Sequence, residues 1–281
     1  MKTVCLINGE PGDSIPIDDR GLQYGDGLFE TIAVRDGIPE FWERHMQRLL
    51  HGCERLRIPP PSVAQLRAEA ARLQGISGPA VLKIIITRGS GGRGYRAPVP
   101  TQPTRILIAT AWPEYPRAYG EQGVKLRVCH HRLGCNPGLA GMKHLNRLDQ
   151  VVASSEWDGT EFADGLMLNE QGQVIEGTFT NVFLVEHGRL CTPAVGRCGV
   201  SGIMRGVIMD MASDLDISCA ELDIACDVLY GASEIFLTNS LIGIWPVRAL
   251  GEWKAEPGPI TRRLQKALAD LRGRRTEESC L

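Results

Sequence analysis

The stretch "GLAGMKHLNRLDQ", residues 138–150, holds a single lysine, Lys143, between small residues and an apolar-periodic segment. An amine in that setting has two readings. Its stem covers apolar surface while its head reaches water, or it is held in a pocket as a nucleophile and proton carrier. Glu176, in "QVIEGTFTNVF", stands among β-type residues just before Gly177. It is either a strand-edge carboxylate facing water or an acid reserved for a ligand. Arg48 lies between the apolar positions Met46 and Leu49, as a solvated helix arginine or as a cation aimed at an anion. "GVSGIMR", 199–205, reads as a loop that ends in a helix start, with Ser201 as N-cap. Such a start offers unpaired N–H groups to an anion.

"RGSGGRGY", 88–95, invites a phosphate-loop reading and fails it. The Lys-Ser/Thr element is missing, and prolines follow where a helix should start. A single copy in a nearly neutral chain is also no RGG-type nucleic-acid segment. What remains is a tight loop carrying Arg93 and Tyr95, suited to closing on a carboxylate through a guanidinium fork, or a plain surface loop. The other four signals meet one chemical demand. Pyridoxal phosphate needs a lysine for its imine, a cation and a helix start for its phosphate, and a carboxylate for its pyridine nitrogen.

Several elements must position these groups. "VCLIN" reads as a strand, and "LFETIAVRDGIPEF" as a hairpin turning at Asp36-Gly37. "WERHMQRLLHGCERL" reads as a helix buried along Met46, Leu49, Leu50, Cys53 and Leu56, stopped by Pro59–Pro61. Ser62 and Gln65 make a capping box for the next helix. "AVLKIIITRG" and "TRILIATAW" are strands on either side of the glycine-rich loop. "PEYPRAYGEQG", 113–123, is the expected linker. Beyond it come a strand, "VKLRVCHH", and a helix entered near Lys143 whose buried stripe is Leu145, Leu148 and Val152. A meander over 165–193, a helix over 202–215, a strand "SEIFLTNSL" and a closing helix on Leu264, Leu268 and Leu271 complete the pattern, with a fraying tail from Arg272. Strands grouped with strands predict an α+β fold in two lobes. The expected domains are 1–112, small and N-terminal, and 124–281, larger, with a β-meander.

The 281 residues are 43% hydrophobic and 23% charged, as in an ordinary soluble globular protein, and suffice for one large or two medium domains with ample core. A net charge of −2 gives no general pull toward nucleic acid or an anionic membrane, and no apolar run is long enough to span a bilayer. Nine scattered cysteines without a C-x-x-C pair argue against a metal site and for a reducing, cytoplasmic setting.

In order along the chain, "DRGLQYGDGLFET", "ERHMQRL", "GMKHLNRLDQ", "VIEGTFTNVF" and "GVSGIMR" resemble the fold-type IV pyridoxal-phosphate enzymes. That family includes branched-chain and D-amino-acid aminotransferases and 4-amino-4-deoxychorismate lyase. "LKIIITRGSGGRGY" with "LAGMKHLNRLDQVV" looks most like the lyase. The resemblance implies pyridoxal 5'-phosphate as cofactor, with Lys143 as its imine-forming lysine and Arg48 gripping its phosphate. Glu176 would face the pyridine nitrogen. Ile203 and Met204 would hold the phosphate through backbone N–H groups, and Ser240 would replace a phosphate-contacting threonine of the aminotransferases. Arg93 and Tyr95 match a loop that binds substrate carboxylate from a neighbouring subunit, and Phe29 and Asn239 are further substrate-binding positions. The implied protein is a homodimer acting on a small molecule, aminodeoxychorismate. Loss of a proton expels pyruvate and leaves 4-aminobenzoate, with Thr31 as candidate donor to the leaving methylene, or as an ordinary β-branched strand residue. Two alternatives stand beside the lyase. One is an aminotransferase on the same scaffold; the other is a non-enzymatic anion-binding module built on the glycine-rich loop.

Overall fold

A computed structural model describes residues 4–73 and 78–278. The chain divides into two compact units: Met1–Pro113 with Met142–Asn146, and Glu114–Gly141 with Arg147–Leu281.

The first unit is built on a six-stranded antiparallel sheet. Its strands are β1 (Val4–Ile7), β2 (Glu10–Pro11), β3 (Gly27–Arg35), β4 (Ile38–Pro39), β5 (Ala80–Thr87) and β6 (Thr104–Ala111), in the order β2-β1-β6-β5-β3-β4. The hairpin β3–β4 turns at Asp36 and Gly37, both at positive φ, as the Asp-Gly pair predicts. Strand alternation puts Leu28, Glu30 and Ile32 on one face with Leu82, Ile84, Ile86 and Leu107. That face is covered by α2 (Trp42–Leu56) and α3 (Val63–Arg72). Met46, Leu49 and Cys53 of α2 are buried as expected, and Ser62 caps α3 by accepting from the Gln65 N–H. The opposite face carries Phe29, Thr31, Lys83 and Ile85, all half-buried.

A short helix, α1 (Arg20–Tyr24), precedes β3. Arg20 is buried. It pairs with Asp26 and donates to the carbonyls of Gly94 and Tyr95, so it ties the glycine-rich loop down from beneath. At Gly89 a side chain has no room: φ is +85° and an added Cβ would sit 1.8 Å from the Gln102 carbonyl oxygen.

The second unit holds β7 (Val124–Leu133), β8 (Asp164–Asn169), β9 (Gln173–Gly177), β10 (Asn181–Glu186), β11 (Arg189–Pro193), β12 (Cys219–Leu222), β13 (Ile224–Ala225), β14 (Glu234–Asn239), β15 (Gly243–Leu250) and β16 (Trp253–Lys254). The ladder runs β12-β11-β10-β14-β15-β7-β8-β9-β13, with β16 on β15. The helices are α4 (Arg117–Glu121), α5 (Leu148–Ser154), α6 (Ile203–Asp214) and α7 (Pro259–Glu278). Ile203, Met204, Val207, Ile208 and Met211 of α6 are buried, as are Leu264 and Leu268 of α7. The core runs through Leu126, Leu166, Val182, Leu184, Leu237 and Trp245.

Four sequence expectations change here. The 165–193 segment is no simple meander. It forms two hairpins, β8–β9 and β10–β11, and β14, β15 and β7 stand between them in the ladder. Residues 113–123 are not an open linker. Past Pro113 the chain packs into the second unit, with the Tyr115 and Tyr119 rings 4.9 and 5.0 Å from that of Trp245. The helix near Lys143 begins only at Leu148, and its apolar stripe is exposed: Leu148 by 76% and Val152 by 48%. Periodicity marks an apolar face without saying what covers it. Finally, α7 continues through Glu278; the last three residues of the expected fraying tail lie outside the described residues.

Candidate active site

Lys143 lies on an extended segment that completes the edge of β3. Phe29 N–H donates to the Lys143 carbonyl (2.9 Å), Leu145 N–H donates to the Gly27 carbonyl (3.0 Å), and Leu28 bridges His144. These bonds attach residues 142–146 to the first unit, and they fix the amine 4.5 Å from the Phe29 ring centre. The lysine is half-buried. Thr31 shares the Phe29 face of β3, two residues along.

On the covered face of the same strand, Glu30 meets α2. Its carboxylate accepts from Arg48 Nε at 2.8 Å and from Arg48 Nη2, and it lies 2.6 Å from His45 Nδ1. His45 and Arg48 are three apart, one above the other on α2. Burial pushes the Glu30 carboxyl up. The Arg48 charge and the hydrogen bonds from His45 and Arg48 outweigh it and hold the group at about 2. Burial lowers the His45 imidazole, and the Arg48 and Lys143 charges act in the same direction against Glu30. Arg48 is thus oriented from behind by a permanently ionised acid, as an anion-gripping guanidinium requires. The sequence reading missed Glu30 and His45; the signal available was a polar residue mid-strand facing the i, i+3 pair of a helix.

Glu176 and the start of α6 lie in the second unit. Glu176 is the last residue but one of β9 and is buried. Val200 N–H donates to its Oε2 (2.8 Å) and Gln150 Nε2 to its Oε1 (3.2 Å). Just past it, buried Asp164 accepts from Thr178 N–H, Thr178 Oγ1 and Thr180 Oγ1 and so fixes the turn out of β9. Gly202, not Ser201, is the N-cap of α6, and it supplies no side-chain cap. Ser201 instead donates its N–H to the Gly141 carbonyl. Helix geometry gives the first amides of α6, at Ile203 and Met204, no acceptor within the helix. An added Cβ on Gly202 would lie 1.9 Å from Asn181 Oδ1, so the loop closes there only with glycine.

The remaining expected positions differ in setting. Ser240 is half-buried in the turn after β14. Asn239 shapes that turn: its Oδ1 accepts from Leu241 and Ile242 N–H, and its Nδ2 donates to the Phe179 carbonyl. Arg93 and Tyr95 are exposed on the loop pinned by Arg20, and the Gly94 N–H donates to the Tyr24 hydroxyl.

The donor set fits pyridoxal phosphate. A half-buried amine suits its aldehyde. A backed arginine and an uncapped twelve-residue helix suit its phosphate, and a carboxylate held by two N–H donors suits a protonated ring nitrogen.

Comparison with known proteins agrees. Residues 27–250 match the amino-transferase class IV family. Over 265 residues the chain is 40% identical to the aminodeoxychorismate lyase of Vibrio harveyi, covering 92% of this chain and 97% of that one. The crystal structure of 4-amino-4-deoxychorismate lyase from Pseudomonas aeruginosa superimposes with a TM-score of 0.92 at 46% identity, over 95% of this chain and 98% of that one. The Escherichia coli branched-chain amino acid aminotransferase gives 0.86 at 27% identity, over 95% and 94%. The chain belongs to the amino-transferase class IV family, the pyridoxal-phosphate enzymes of fold-type IV.

Proposed function

We propose that this protein is an aminodeoxychorismate lyase, converting 4-amino-4-deoxychorismate to 4-aminobenzoate and pyruvate in folate synthesis. The observation that carries the reading is its full-length likeness to the Pseudomonas lyase, at 46% identity against 27% for the Escherichia coli aminotransferase.

Pyridoxal phosphate, when bound, supplies an aldehyde that captures the substrate amine and a ring that makes the neighbouring C–H acidic. The protein does the rest. Lys143 Nζ anchors the cofactor and afterwards, as a free amine, takes the proton from the carbon bearing the substrate nitrogen. Glu176 keeps the ring nitrogen protonated. Arg48, steadied by Glu30, holds the phosphate with the Ile203 and Met204 N–H groups. As the adjacent C–O bond breaks, the six-membered ring becomes aromatic, and Thr31 Oγ1 donates the proton that turns the leaving methylene into the methyl of pyruvate.

A homodimer is part of this proposal. Ile17, Leu22, Tyr95 and Val99 on the first unit, and Leu148, Val151 and Val152 on the second, are large apolar residues left exposed in the single chain. So is a cytoplasmic setting: all eight described cysteines are free, and no helix among the described residues is long and apolar enough to cross a membrane.

Holo-protein given aminodeoxychorismate is expected to release pyruvate and 4-aminobenzoate in equal amounts. No release would overturn the lyase. The aminotransferase likeness supports the second reading, which predicts amino-group transfer from an amino acid to a 2-oxo acid instead.

A further inference from the structure

Two cysteines far apart in sequence meet in the second unit. Cys135 follows β7, Cys198 lies between β11 and α6, and their sulfurs stand 4.0 Å apart. The backbone brings them together. Asn136 N–H donates to the Arg197 carbonyl (2.9 Å), Gly141 N–H to the Gly199 carbonyl (2.9 Å), and Ser201 N–H to the Gly141 carbonyl (3.1 Å). Residues 135–141 and 197–201 are thus two arms already bonded to each other. The second arm holds Glu176 through the Val200 N–H and opens into α6.

The two thiols differ in setting. Cys135 is half-buried, and its Sγ also donates to Gln171 Oε1 at 3.5 Å. Cys198 is buried with Cys129, Leu133 and Ile175, and burial pushes its thiol up to about 12. A thiol so placed is inert toward an oxidant in solution, whereas its half-exposed neighbour is within reach. A sulfur–sulfur bond is about 2 Å long, so closing the pair takes a shift of about 2 Å shared between two side chains.

We propose that Cys135 and Cys198 form a site of reversible oxidation by hydroperoxides, closing to an intrachain disulfide that locks the arm holding Glu176. The Cys135 sulfur attacks the peroxide. An S–O bond forms and the O–O bond breaks. The thiol is oxidised to a sulfenic acid, and its proton leaves with the reduced oxygen as water or an alcohol. The Cys198 sulfur then displaces the hydroxyl: the S–S bond forms, the S–O bond breaks, and the hydroxyl departs with the Cys198 proton as water. A dithiol reverses the bond by exchange, so in a reducing compartment it is transient.

To test this, reduced holo-protein is treated with hydrogen peroxide, unfolded, alkylated and digested without reductant. The expected product is a peptide pair joined through Cys135 and Cys198, about 2 Da lighter than the two free peptides, and separated again by dithiothreitol. Buried Cys53, Cys129 and Cys191 should all be recovered alkylated. In Cys198→Ala, Cys135 has no partner and should pass on to the sulfinic acid. In Cys135→Ser, Cys198 should remain a thiol. In the linked protein, exchange of the Gly141 and Ser201 amides, which bridge the arms, should slow at least about tenfold. The inference is overturned if Cys135 and Cys198 are each recovered unlinked after peroxide, or if Cys135 joins another cysteine or a second chain. It is equally overturned if Gly141 and Ser201 exchange as fast in linked as in reduced protein. The parent protein alone decides the matter should either variant fail to fold.

Discussion

Glu30 ties the acid stability of the first unit to Arg48, the arginine proposed to grip the phosphate. Its folded pKa of about 2 lies below the ordinary 4.5, so between those values the unfolded chain binds a proton that the folded chain does not. The stabilisation is complete above about pH 4.5 and drains away as the pH falls toward 2; it amounts to about 3 kcal/mol. His45, lowered from 6.5, acts in the same direction from that pH downward. Glu30→Gln should therefore lower Tm at neutral pH and flatten the decline of Tm between pH 4.5 and 2, read by thermal melts across pH. Lys143→Ala should abolish the borohydride-stable attachment of cofactor to the protein, checked by mass spectrometry. Glu176→Gln should retain cofactor but slow proton abstraction at least about 100-fold, read in single-turnover kinetics. Lys143 and Glu176 stood out because an amine among small residues and an acid inside a strand are each unusual. Glu30 did not, because one polar residue in an alternating strand is what any half-solvated strand shows; its meaning depends on a helix folding back over it.

Elements whose signals are local were readable from the chain. The α2 helix, the Asp36-Gly37 hairpin and the Ser62 cap depend on neighbours a few residues away. The segment around Lys143 was misread as helix because its partner, β3, lies far back in sequence, and no local pattern records that ladder. The split of β8–β9 from β10–β11 was hidden for the same reason: the strands that separate them come from elsewhere in the chain. The glycine-rich loop offers a test at this scale. Gly89→Ala places a methyl against the rigid Gln102 carbonyl at a positive φ. It should cost about 2 to 4 kcal/mol, measured by the shift in urea midpoint.

For the whole molecule, the α+β class and the order of elements followed from strands grouped with strands. The stripe on α5 was legible as a stripe but not as exposed, since periodicity does not record what covers an apolar face. Leu148→Asp with Val151→Asp should convert a two-chain species to a one-chain species in sedimentation. Loss of activity should accompany it if Arg93 reaches a neighbour's substrate.

The edge pairing of Lys143–Leu145 with Gly27–Phe29 also bears on how the protein is made. A nascent chain that has emerged only through Pro113 has all six strands of its first sheet but an unsealed rim, a template for any stray strand nearby. The rim closes only when Asn146 has left the ribosome, and the segment that closes it carries Lys143, the proposed imine-forming lysine. Sealing the sheet and seating Lys143 are therefore one event during synthesis, and a fragment ending at Pro113 should associate with itself rather than persist as a single folded piece.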